Sequence, residues 1–360
     1  MELKAGANLQ ITTFDERQAF TTNRPWADAG PDVDALLAEP FMSWHVELIH
    51  ETLQVQATKR GGAVVSVTPV AQPRPVDASH DRVKQRLVDP NARFLQILGV
   101  TTAAGVVKVG RRDKFRQVEE FVRALDPVVR DALAGGRLTR DRPVRAVDLG
   151  CGNAYLTFAA YEYLTQVRGL SVEMVGVDQL AQARQHNEAA ASRLGWGDRL
   201  TFVDGDIASA VVEGPVDVVL ALHACDTATD EALARAVGWQ APVVMAAPCC
   251  HHDIQRQLKA TKCIPRPYEV VTRHGILRER FADILTDALR AALLRQAGYR
   301  TDVMEFVDTR HTPRNLLLRA VRTGAEATPE EVAEYRRLVA EWGVRPRLAD
   351  LLEDDGTLPK

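Results

Sequence analysis

Glycines and an acidic residue stand where a buried strand gives way to a helix. The segment Asp148-Leu-Gly150-Cys-Gly152-Asn153 follows an apolar run that begins at Val144 and precedes the helical pattern Ala154 to Val167. Glycines at such a turn let the backbone reverse sharply and let a ligand approach it closely. The pattern therefore predicts a ligand crevice at the end of this strand.

Two further strand ends carry acids. Val175-Gly-Val-Asp178 ends the second strand, and Asp204-Gly-Asp206-Ile207 ends the third. Three carboxylates on one rim suit a cationic nucleoside better than a pyrophosphate, and Tyr155 stands where a dinucleotide fingerprint requires its third glycine, so NAD is disfavoured. The alternative is that these are turn and cap residues of an α/β protein with another cofactor.

Histidines follow the fourth and fifth strands. His223-Ala-Cys-Asp226 follows the first of these strands, and Pro248-Cys-Cys-His251-His252 follows the second. The carboxyl ends of parallel strands face the ligand crevice, and imidazole accepts protons near neutral pH. We predict that His223, Asp226 and His251 are catalytic and assist deprotonation of an acceptor. Each of them could instead be a helix cap.

The same loops hold cysteines, which together with histidines are usual zinc ligands. Side chains on consecutive residues such as Cys249 and Cys250 tend to diverge, and a C-x-x-C spacing is absent. We therefore predict no bound metal. Five cysteines is an odd number for a disulfide framework, so we expect all five to be reduced thiols.

The order of elements predicts the fold. Strand-like runs alternate with helical patterns in βαβα order, which indicates a parallel sheet with helices on both faces. The predicted strands are Val144 to Leu149, Val172 to Val177, Leu200 to Val203, Val216 to Leu222, Val243 to Ala247, Thr301 to Val307 and Asn315 to Val321. A long amphipathic helix is predicted over Gly275 to Ala297, and a capping box at Thr328 opens another helix.

We divide the chain into four regions. Residues 1–79 form an N-terminal region, with a loosely ordered lead-in to about residue 35 and a β-hairpin over His45 to Ala57 and Ala63 to Val70. Residues 80–143 are a basic helical lead-in, in which a helix over Lys114 to Leu133 is expected to bend or break at Pro127. Residues 144–323 are the catalytic domain, and residues 324–360 are a C-terminal helix with a frayed acidic tail.

Composition and charge narrow the location and the partners. The chain has 360 residues, 46% of them apolar, and we find neither a membrane-spanning run nor a secretory signal, so we expect a cytoplasmic protein. The net charge is -3, yet residues 80 to 145 hold 15 Lys and Arg against 8 Asp and Glu. Such a stretch is either a solvated face or a nucleic-acid contact.

The ordered motifs resemble a class I S-adenosylmethionine-dependent methyltransferase family that includes methyltransferase-like and glutathione S-transferase C-terminal-domain-containing proteins. They are also similar to motifs of tRNA acceptor-stem 2'-O-methyltransferases. The resemblance covers about His80 to Arg322 and rests on Asp-Leu-Gly-Cys-Gly, His-Ala-Cys-Asp-x-x-Thr-Asp, Pro-Cys-Cys-His-His, Gly-Ile-Leu-x-Glu-Arg and His-Thr-Pro-Arg-Asn. It implies a Rossmann-like domain with a seven-stranded, mostly parallel sheet, and S-adenosyl-L-methionine as cofactor.

The resemblance also implies roles for single residues. Under this resemblance, the methionine part of the cofactor would be lined by Asp148, Gly150, Gly152 and Asn153. Asp178 would bind the ribose, Asp206 and Ile207 the adenine, while Lys114 and Gln117 would close over the methionine carboxylate or the acceptor. We place Cys151, Gln179 and Leu222 on the same cofactor side. Substrate contacts are assigned to His252, Arg310, His311, Arg314 and Asn315.

The substrate that we favour is RNA, either tRNA or rRNA. The basic stretch, the basic turn Arg310 to Arg314 and the family resemblance support it. Leu-His-Ala-Cys stands where enzymes that methylate exocyclic base amines carry Asp/Asn-Pro-Pro-Tyr/Phe, so methylation of adenine N6 is disfavoured. Two alternatives stay open: a small-molecule or protein side-chain methyltransferase, which the overall acidity favours, and a degenerate cofactor-binding scaffold. We expect no membrane and no obligate protein partner.

Overall fold

The computed structural model describes residues 2–3, 6–14, 19–58, 62–69, 87–212, 214–260, 265, 268–305 and 315–359. The chain divides into two compact units, Met1–Gln85 and Arg86–Lys360. The boundary that we expect near residue 79 lies outside the described residues.

The first unit contains more regular structure than its sequence predicts. Its elements are β1 (Glu2–Leu3), β2 (Gly6–Phe14), β3 (Ala19–Pro25), a 3-10 turn (Trp26–Asp28), α1 (Gly30–Ala38), β4 (Ser43–Glu47), β5 (Glu51–Ala57) and β6 (Ala63–Pro69). The expectation of a loosely ordered lead-in is therefore wrong. β2 pairs with β3, and polar side chains lie opposite one another, with Thr12 opposite Thr21 and Gln10 opposite Asn23. The two strands therefore lack the apolar periodicity by which strands are recognised in a sequence.

The predicted hairpin is instead a three-stranded antiparallel sheet, ordered β4-β5-β6. The run that we expect to be a single strand from His45 to Ala57 reverses after Glu47, where the amide of Leu48 donates to the carbonyl of Glu51 at 2.8 Å. This turn contains neither glycine nor proline. Alternation of apolar and polar residues continues on both sides of it, which hides the reversal.

The second unit is built on the expected seven-stranded sheet. Its strands are β7 (Val144–Leu149), β8 (Val172–Asp178), β9 (Leu200–Asp204), β10 (Val218–Ala221), β11 (Val243–Ala246), β12 (Tyr299–Glu305) and β13 (Leu316–Arg322). Their spatial order is β12-β13-β11-β10-β7-β8-β9, and pairing is parallel from β11 through to β9 and antiparallel at β13. The predicted Rossmann-like architecture is confirmed. Successive connections leave β7 and β10 in opposite directions, so a crevice opens between their carboxyl ends.

Helices cover both faces of this sheet. They are α2 (Arg93–Ile97), α3 (Arg112–Ala134), α4 (Tyr155–Glu162), α5 (Ala181–Leu194), α6 (Thr227–Gly238), α7 (His252–Ala260), α8 (Glu269–Thr272), α9 (Gly275–Gln296), α10 (Pro329–Trp342) and α11 (Arg347–Asp354). Alternate residues of one strand serve opposite faces: Val218 and Leu220 join the core cluster under α3 and α4, and Val219 and Ala221 the cluster under α6 and α11. Both faces of the strands are buried, as their apolar runs predict.

Proline does not break α3. The helix continues through Pro127 from Arg112 to Ala134, so the expected break is absent. A proline inside a helix costs about 3 kcal/mol. Buried residues on both sides of it, among them Leu125 and Val128, pack into one core, and each large buried side chain contributes about 1.5 to 3 kcal/mol. Packing of the whole face therefore outweighs the lost hydrogen bond.

The C-terminal end is also more ordered than expected. Thr328 and Glu331 form the predicted capping box at the start of α10. The acidic tail that we expect to fray forms α11 instead, and its Leu348 and Leu352 are fully buried. These two leucines lie four residues apart on one helical face, which its acids obscure in the sequence.

Gly176 of β8 provides a test of the packing. A Cβ atom there would stand 2.6 Å from the Phe202 ring and 3.0 Å from the Cys151 sulfur, and Phe202 is held against Phe158 at 5.7 Å between ring centroids. We expect Gly176→Ala to lower the free energy of unfolding by about 1 to 3 kcal/mol, as overpacking does. Urea denaturation measures it.

Gly197→Ala is the matched control, because its Cβ would only meet the Ser192 hydroxyl at 3.6 Å, an ordinary contact. A change of similar size in the two variants would contradict the packing described for β8.

Candidate active site

The carboxyl ends of β7, β8, β9 and β10 border one cavity of about 540 Å³. Such a volume is typical of a small-molecule site. Gly150, Asp178 and His223 converge on it, as the sequence predicts. The described residues that line it are Gly150, Gly152, Val177, Asp178, Gln179, Leu180, Gly205, Asp206, Ile207, His223, Ala224, Cys225, Thr227, Ala228 and Glu231.

The glycine loop after β7 takes a backbone form that few other residues adopt. Gly150 and Gly152 have φ angles of 76° and 54°. A Cβ on Gly150 would reach Ile207 at 3.5 Å and the backbone of Ala224 at 3.7 Å, so the absence of a side chain keeps the cavity floor open. The loop is fixed to β8 because the amides of Gly150 and Cys151 donate to the carbonyl of Val177.

Asp178 is oriented before any ligand binds. Its two carboxylate oxygens accept hydrogen bonds from the amides of Gly152 at 2.7 Å and Leu180 at 2.8 Å. Each oxygen has a second lone pair, so the carboxylate can still accept the two hydroxyls of a ribose. Leu180, which is 66% exposed, and Ile207 add apolar surface to the same cavity. A carboxylate beside apolar walls fits a nucleoside.

Asp148 is buried beneath the glycine loop and does not line the cavity in the described part of the chain. Its Oδ2 accepts the Thr157 hydroxyl at 2.5 Å, while its Oδ1 has no hydrogen-bond partner among the described residues. Burial raises the pKa of Asp148 to about 7, with the Thr157 hydrogen bond opposing and Asp178 adding to the rise. A cation bound nearby would favour its ionised form.

His223 stands at the rim of the cavity, after β10. His223 is exposed, yet the protein atoms packed around the imidazole desolvate it and lower its pKa; the positive charge of Lys114 lowers the pKa further, and Asp178 opposes both. The ring is therefore neutral near neutral pH, which is the form that accepts a proton. Lys114 itself donates to Gln117 at 2.9 Å and lies over the Tyr155 ring at 4.8 Å from its centroid.

Asp226 ties together the loops after β10 and β11. Its φ of 53° and ψ of -126° are unusual for a residue with a side chain, and such strain costs about 1 to 3 kcal/mol. The amide of Asp226 donates to the carbonyl of Cys250 at 3.2 Å, and its Oδ1 accepts the amide of Asp253 at 2.9 Å. These contacts favour a positioning role. The predicted catalytic role of Asp226 stays a prediction.

Cysteines in the same two loops correct one expectation. Cys225 and Cys249 form a disulfide, with their Cα atoms 5.6 Å apart, so the expectation of five reduced thiols is wrong. Cys151 and Cys250 carry free thiols, and Cys263 lies outside the described residues. Pairing between loops that are 24 residues apart depends on the sheet, which local spacing does not reveal.

His251 lies in a buried network of charges. Its Nε2 is 2.9 Å from Asp287 and its Nδ1 is 3.2 Å from Asp283, both on α9. Arg290 forms a bidentate pair with Asp230, at 2.9 and 2.7 Å, and also donates to Asp287. Its guanidinium donates further to the carbonyl of Asp226. With Nε2 in hydrogen-bond contact with Asp287, Nδ1 at ion-pair distance from Asp283 and only 4% of the residue exposed, His251 is suited to hold the loop rather than to accept a substrate proton.

The other predicted residues are distributed as follows. Gly150, Gly152, Asp178, Gln179, Asp206 and Ile207 line the cavity, whereas Lys114, Gln117, Cys151, Asn153 and Leu222 do not. His252 is exposed at the start of α7, and Asn315 precedes β13. Arg310, His311 and Arg314 lie outside the described residues.

Our sequence reasoning missed one wall of the cavity. Thr227, Ala228 and Glu231 come from the first turns of α6. Their spacing of one and four residues puts them near one face of a helix, and that face could have been read from the helix start after Asp226.

Residues 113–257 match the family model described as a methyltransferase domain. This segment of the chain is similar to a methyltransferase domain. The match extends from the first turn of α3 into α7 and includes the glycine loop, Asp178 and His223. It confirms the expected enzyme class, an S-adenosylmethionine-dependent methyltransferase, and a carboxylate-lined nucleoside cavity fits that cofactor. No curated protein matches the chain.

Solved structures with similar folds include two methyltransferases bound to S-adenosylhomocysteine. PaMTH1 of Podospora anserina is 15% identical, with 57% of this chain and 88% of that one covered and a TM-score of 0.33. A methyltransferase of Geobacter sulfurreducens is 15% identical, with 66% and 83% covered and a TM-score of 0.33. Likenesses this distant decide nothing about the substrate. No described helix has the length and apolarity of a membrane span.

The His251 network predicts a pH dependence of stability. Burial opposes protonation of His251, and hydrogen bonds with Asp283 and Asp287 outweigh it, so the pKa rises above 6.5. The stabilisation is thus complete below the unfolded pKa of 6.5 and is lost as pH rises through the higher folded pKa. Urea denaturation of wild type and His251→Gln on both sides of pH 6.5 should show a larger loss in the wild type, and the difference between the two removes the contribution of Asp148, which both proteins share.

The exposed neighbour His252 supplies the control, since His252→Gln should keep the wild-type pH profile. A His251→Gln variant that loses stability with pH as the wild type does would contradict the network's charge assignment.

Proposed function

We propose that this protein methylates RNA, either tRNA or rRNA, and that His223 removes the acceptor's proton. The observation that carries the RNA proposal is the location of the basic residues. Lys108, Arg111 and Arg112 are exposed at the start of α3. Arg111 acts electrostatically on Lys114, and Lys114 acts on His223, so this positive surface borders the proposed base.

The charge balance of the chain supports the same proposal. The whole protein is net negative at -3, while residues 80 to 145 carry an excess of seven positive charges, 15 against 8. Phosphates bind such a surface by displacing counterions. The part of this charge that is exposed before and within the first turn of α3, in an otherwise acidic protein, favours a polyanionic acceptor over a neutral small molecule.

S-adenosylmethionine, when bound, supplies an electrophilic sulfonium methyl group for in-line transfer. Asp178 would bind the ribose of the cofactor, and Leu180 and Ile207 would flank its adenine ring. His223, which is neutral near pH 7, would accept the proton of the attacking hydroxyl or amine while the new bond to the methyl carbon forms. Asp226 and His251 would keep the loops that carry the acceptor side in place.

Loss of His223 should affect turnover and not cofactor binding. We expect His223→Ala to lower kcat by about 10²- to 10⁴-fold, the usual contribution of general base catalysis. In the wild type, activity should fall at acid pH with a midpoint below 6.5, since the pKa of His223 is lowered. Single-turnover methyl transfer across pH measures both effects.

His186→Ala, an exposed histidine on α5, serves as the control and should keep full activity. If His223→Ala keeps the wild-type rate and acid limb, His223 is not the base.

Loss of Asp178 should have the opposite effect. Asp178→Ala removes charge-assisted ribose contacts worth about 1.5 to 3 kcal/mol, so cofactor affinity should drop tenfold or more. Calorimetric titration with S-adenosylhomocysteine measures this drop. Asp204→Ala is the control, because Asp204 ends the neighbouring strand, does not line the described cavity and pairs with Arg184 at 2.8 Å. Equal affinity in both variants would remove Asp178 from the cofactor site.

The RNA proposal is tested on cells and on the purified protein. Nucleosides from tRNA and rRNA of a deletion strain should lack one methylated species, which reappears when labelled methyl groups are transferred by the enzyme in vitro. Every modified nucleoside at its normal level, with label entering the protein or small-molecule fraction instead, would overturn the proposal.

The basic surface is tested separately with matched charge reversals. Arg111→Glu with Arg112→Glu should weaken RNA binding and make the dependence of log affinity on log salt shallower by about two. Arg336→Glu with Arg337→Glu, two exposed arginines on α10, should change neither. The same loss in both double variants would show that only net charge matters.

A further inference from the structure

Three sulfur atoms converge in the loops after β10 and β11, on the side of the cavity where the methyl acceptor would bind. The Sγ atoms of Cys225, Cys249 and Cys250 all lie within 4.8 Å of one another. We expected the side chains of the consecutive cysteines 249 and 250 to diverge, and this was our reason to predict no metal. Their approach to each other removes that reason. The cluster lies next to His223 and shares Cys225 with the cavity lining.

We propose that, when the Cys225–Cys249 disulfide is reduced, Cys225, Cys249 and Cys250 bind one zinc ion. Zinc binds thiolates at about 2.3 Å in tetrahedral geometry, which sets its sulfurs about 3.8 Å apart. A cluster whose sulfurs already lie within 4.8 Å reaches that spacing by rotation of side chains. Three protein ligands leave a fourth position for water or an acceptor atom.

The two loops stay together without the disulfide. The amide of Asp226 donates a hydrogen bond to the carbonyl of Cys250 at 3.2 Å, and the carboxylate of Asp226 accepts one from the amide of Asp253 at 2.9 Å. Arg290 further fixes the carbonyl of Asp226 at 2.8 Å. Reduction therefore frees two thiols in a frame that hydrogen bonds and the buried ion pairs preserve.

Helix N-termini provide an independent reason for thiolates to collect here. α6 begins at Thr227, two residues after Cys225, and α7 begins at His252, two residues after Cys250. Each helix start has a partial positive charge from its free amides, which favours anionic groups. Three thiolates and one Zn²⁺ carry a net charge of about -1, which these two helix starts stabilise.

Zinc and the disulfide exclude each other, because the disulfide consumes two of the three ligands. A dithiol reductant supplies two electrons and two protons to the Cys225–Cys249 bond and leaves as its own disulfide. Zinc then replaces the protons of the thiols. Oxidation by a disulfide compound reverses both steps and releases the ion.

The test measures metal content of the full chain in both redox states. Protein that has been reduced with a non-chelating phosphine, incubated with Zn²⁺ and desalted should retain a single zinc ion per chain. Elemental mass spectrometry measures this content. The same protein oxidised beforehand with a disulfide reagent should retain none. Reduced wild type without zinc, or equal zinc in both redox states, would overturn the proposal.

Variants locate the ligands. Cys225→Ser and Cys250→Ser should lose the zinc in the reduced state, whereas Cys151→Ala, which removes a free thiol outside the cluster, should keep it. Cobalt substitution provides a readout that does not depend on retention: thiolate-to-cobalt charge transfer should appear in the reduced wild type and fall in Cys250→Ser. An unchanged charge-transfer band in Cys250→Ser would place the metal elsewhere.

Discussion

Parallel pairing of β11, β10, β7, β8 and β9 brings the ends of five strands to one edge of the sheet. Everything at the candidate site depends on this constraint. The glycine loop, Asp178, Asp206, His223 and the cysteine pair are separated by up to a hundred residues in the chain, yet each lies at the end of a strand or within four residues after it. The strands are held by packing on both faces, so the edge is rigid before a ligand arrives.

The two sides of the cavity are held by different forces. On the cofactor side, short backbone hydrogen bonds orient Asp178 and the glycine loop. On the acceptor side, buried charges on α9 and α6 hold the loops after β10 and β11. Asp226 tolerates its unusual backbone because four hydrogen bonds restrain it. Removing one partner of a buried ion pair typically costs 3 to 5 kcal/mol, since the other charge is left uncompensated. Arg290 therefore stabilises the loops after β10 and β11 strongly, although it does not line the described part of the candidate-site cavity.

The sequence predicted what is local and missed what depends on distant contacts. Strand ends, the glycine turn and the acid after β8 follow from patterns a few residues long, and the structure brings Gly150, Asp178 and His223 together as expected. His251 illustrates the limit: its neighbours Asp283 and Asp287 are more than 30 residues away on α9, so nothing near Cys250 reveals that the imidazole lies between two carboxylates. The Cys225–Cys249 pair depends in the same way on the parallel pairing of β10 with β11.

A methyltransferase that acts on a polyanion faces two opposed electrostatic requirements. Its cofactor is cationic and is favoured by carboxylates, whereas phosphates are repelled by them. In this protein the acids Asp178 and Asp206 line the cavity, and the exposed cations lie at the start of α3, coupled to the cavity through Lys114 and His223. His223 stands between the two regions, where the negative Asp178 and the positive Lys114 shift its pKa in opposite directions. Because desolvation and Lys114 outweigh Asp178, the imidazole stays neutral, which is the protonation state that the proposed base requires.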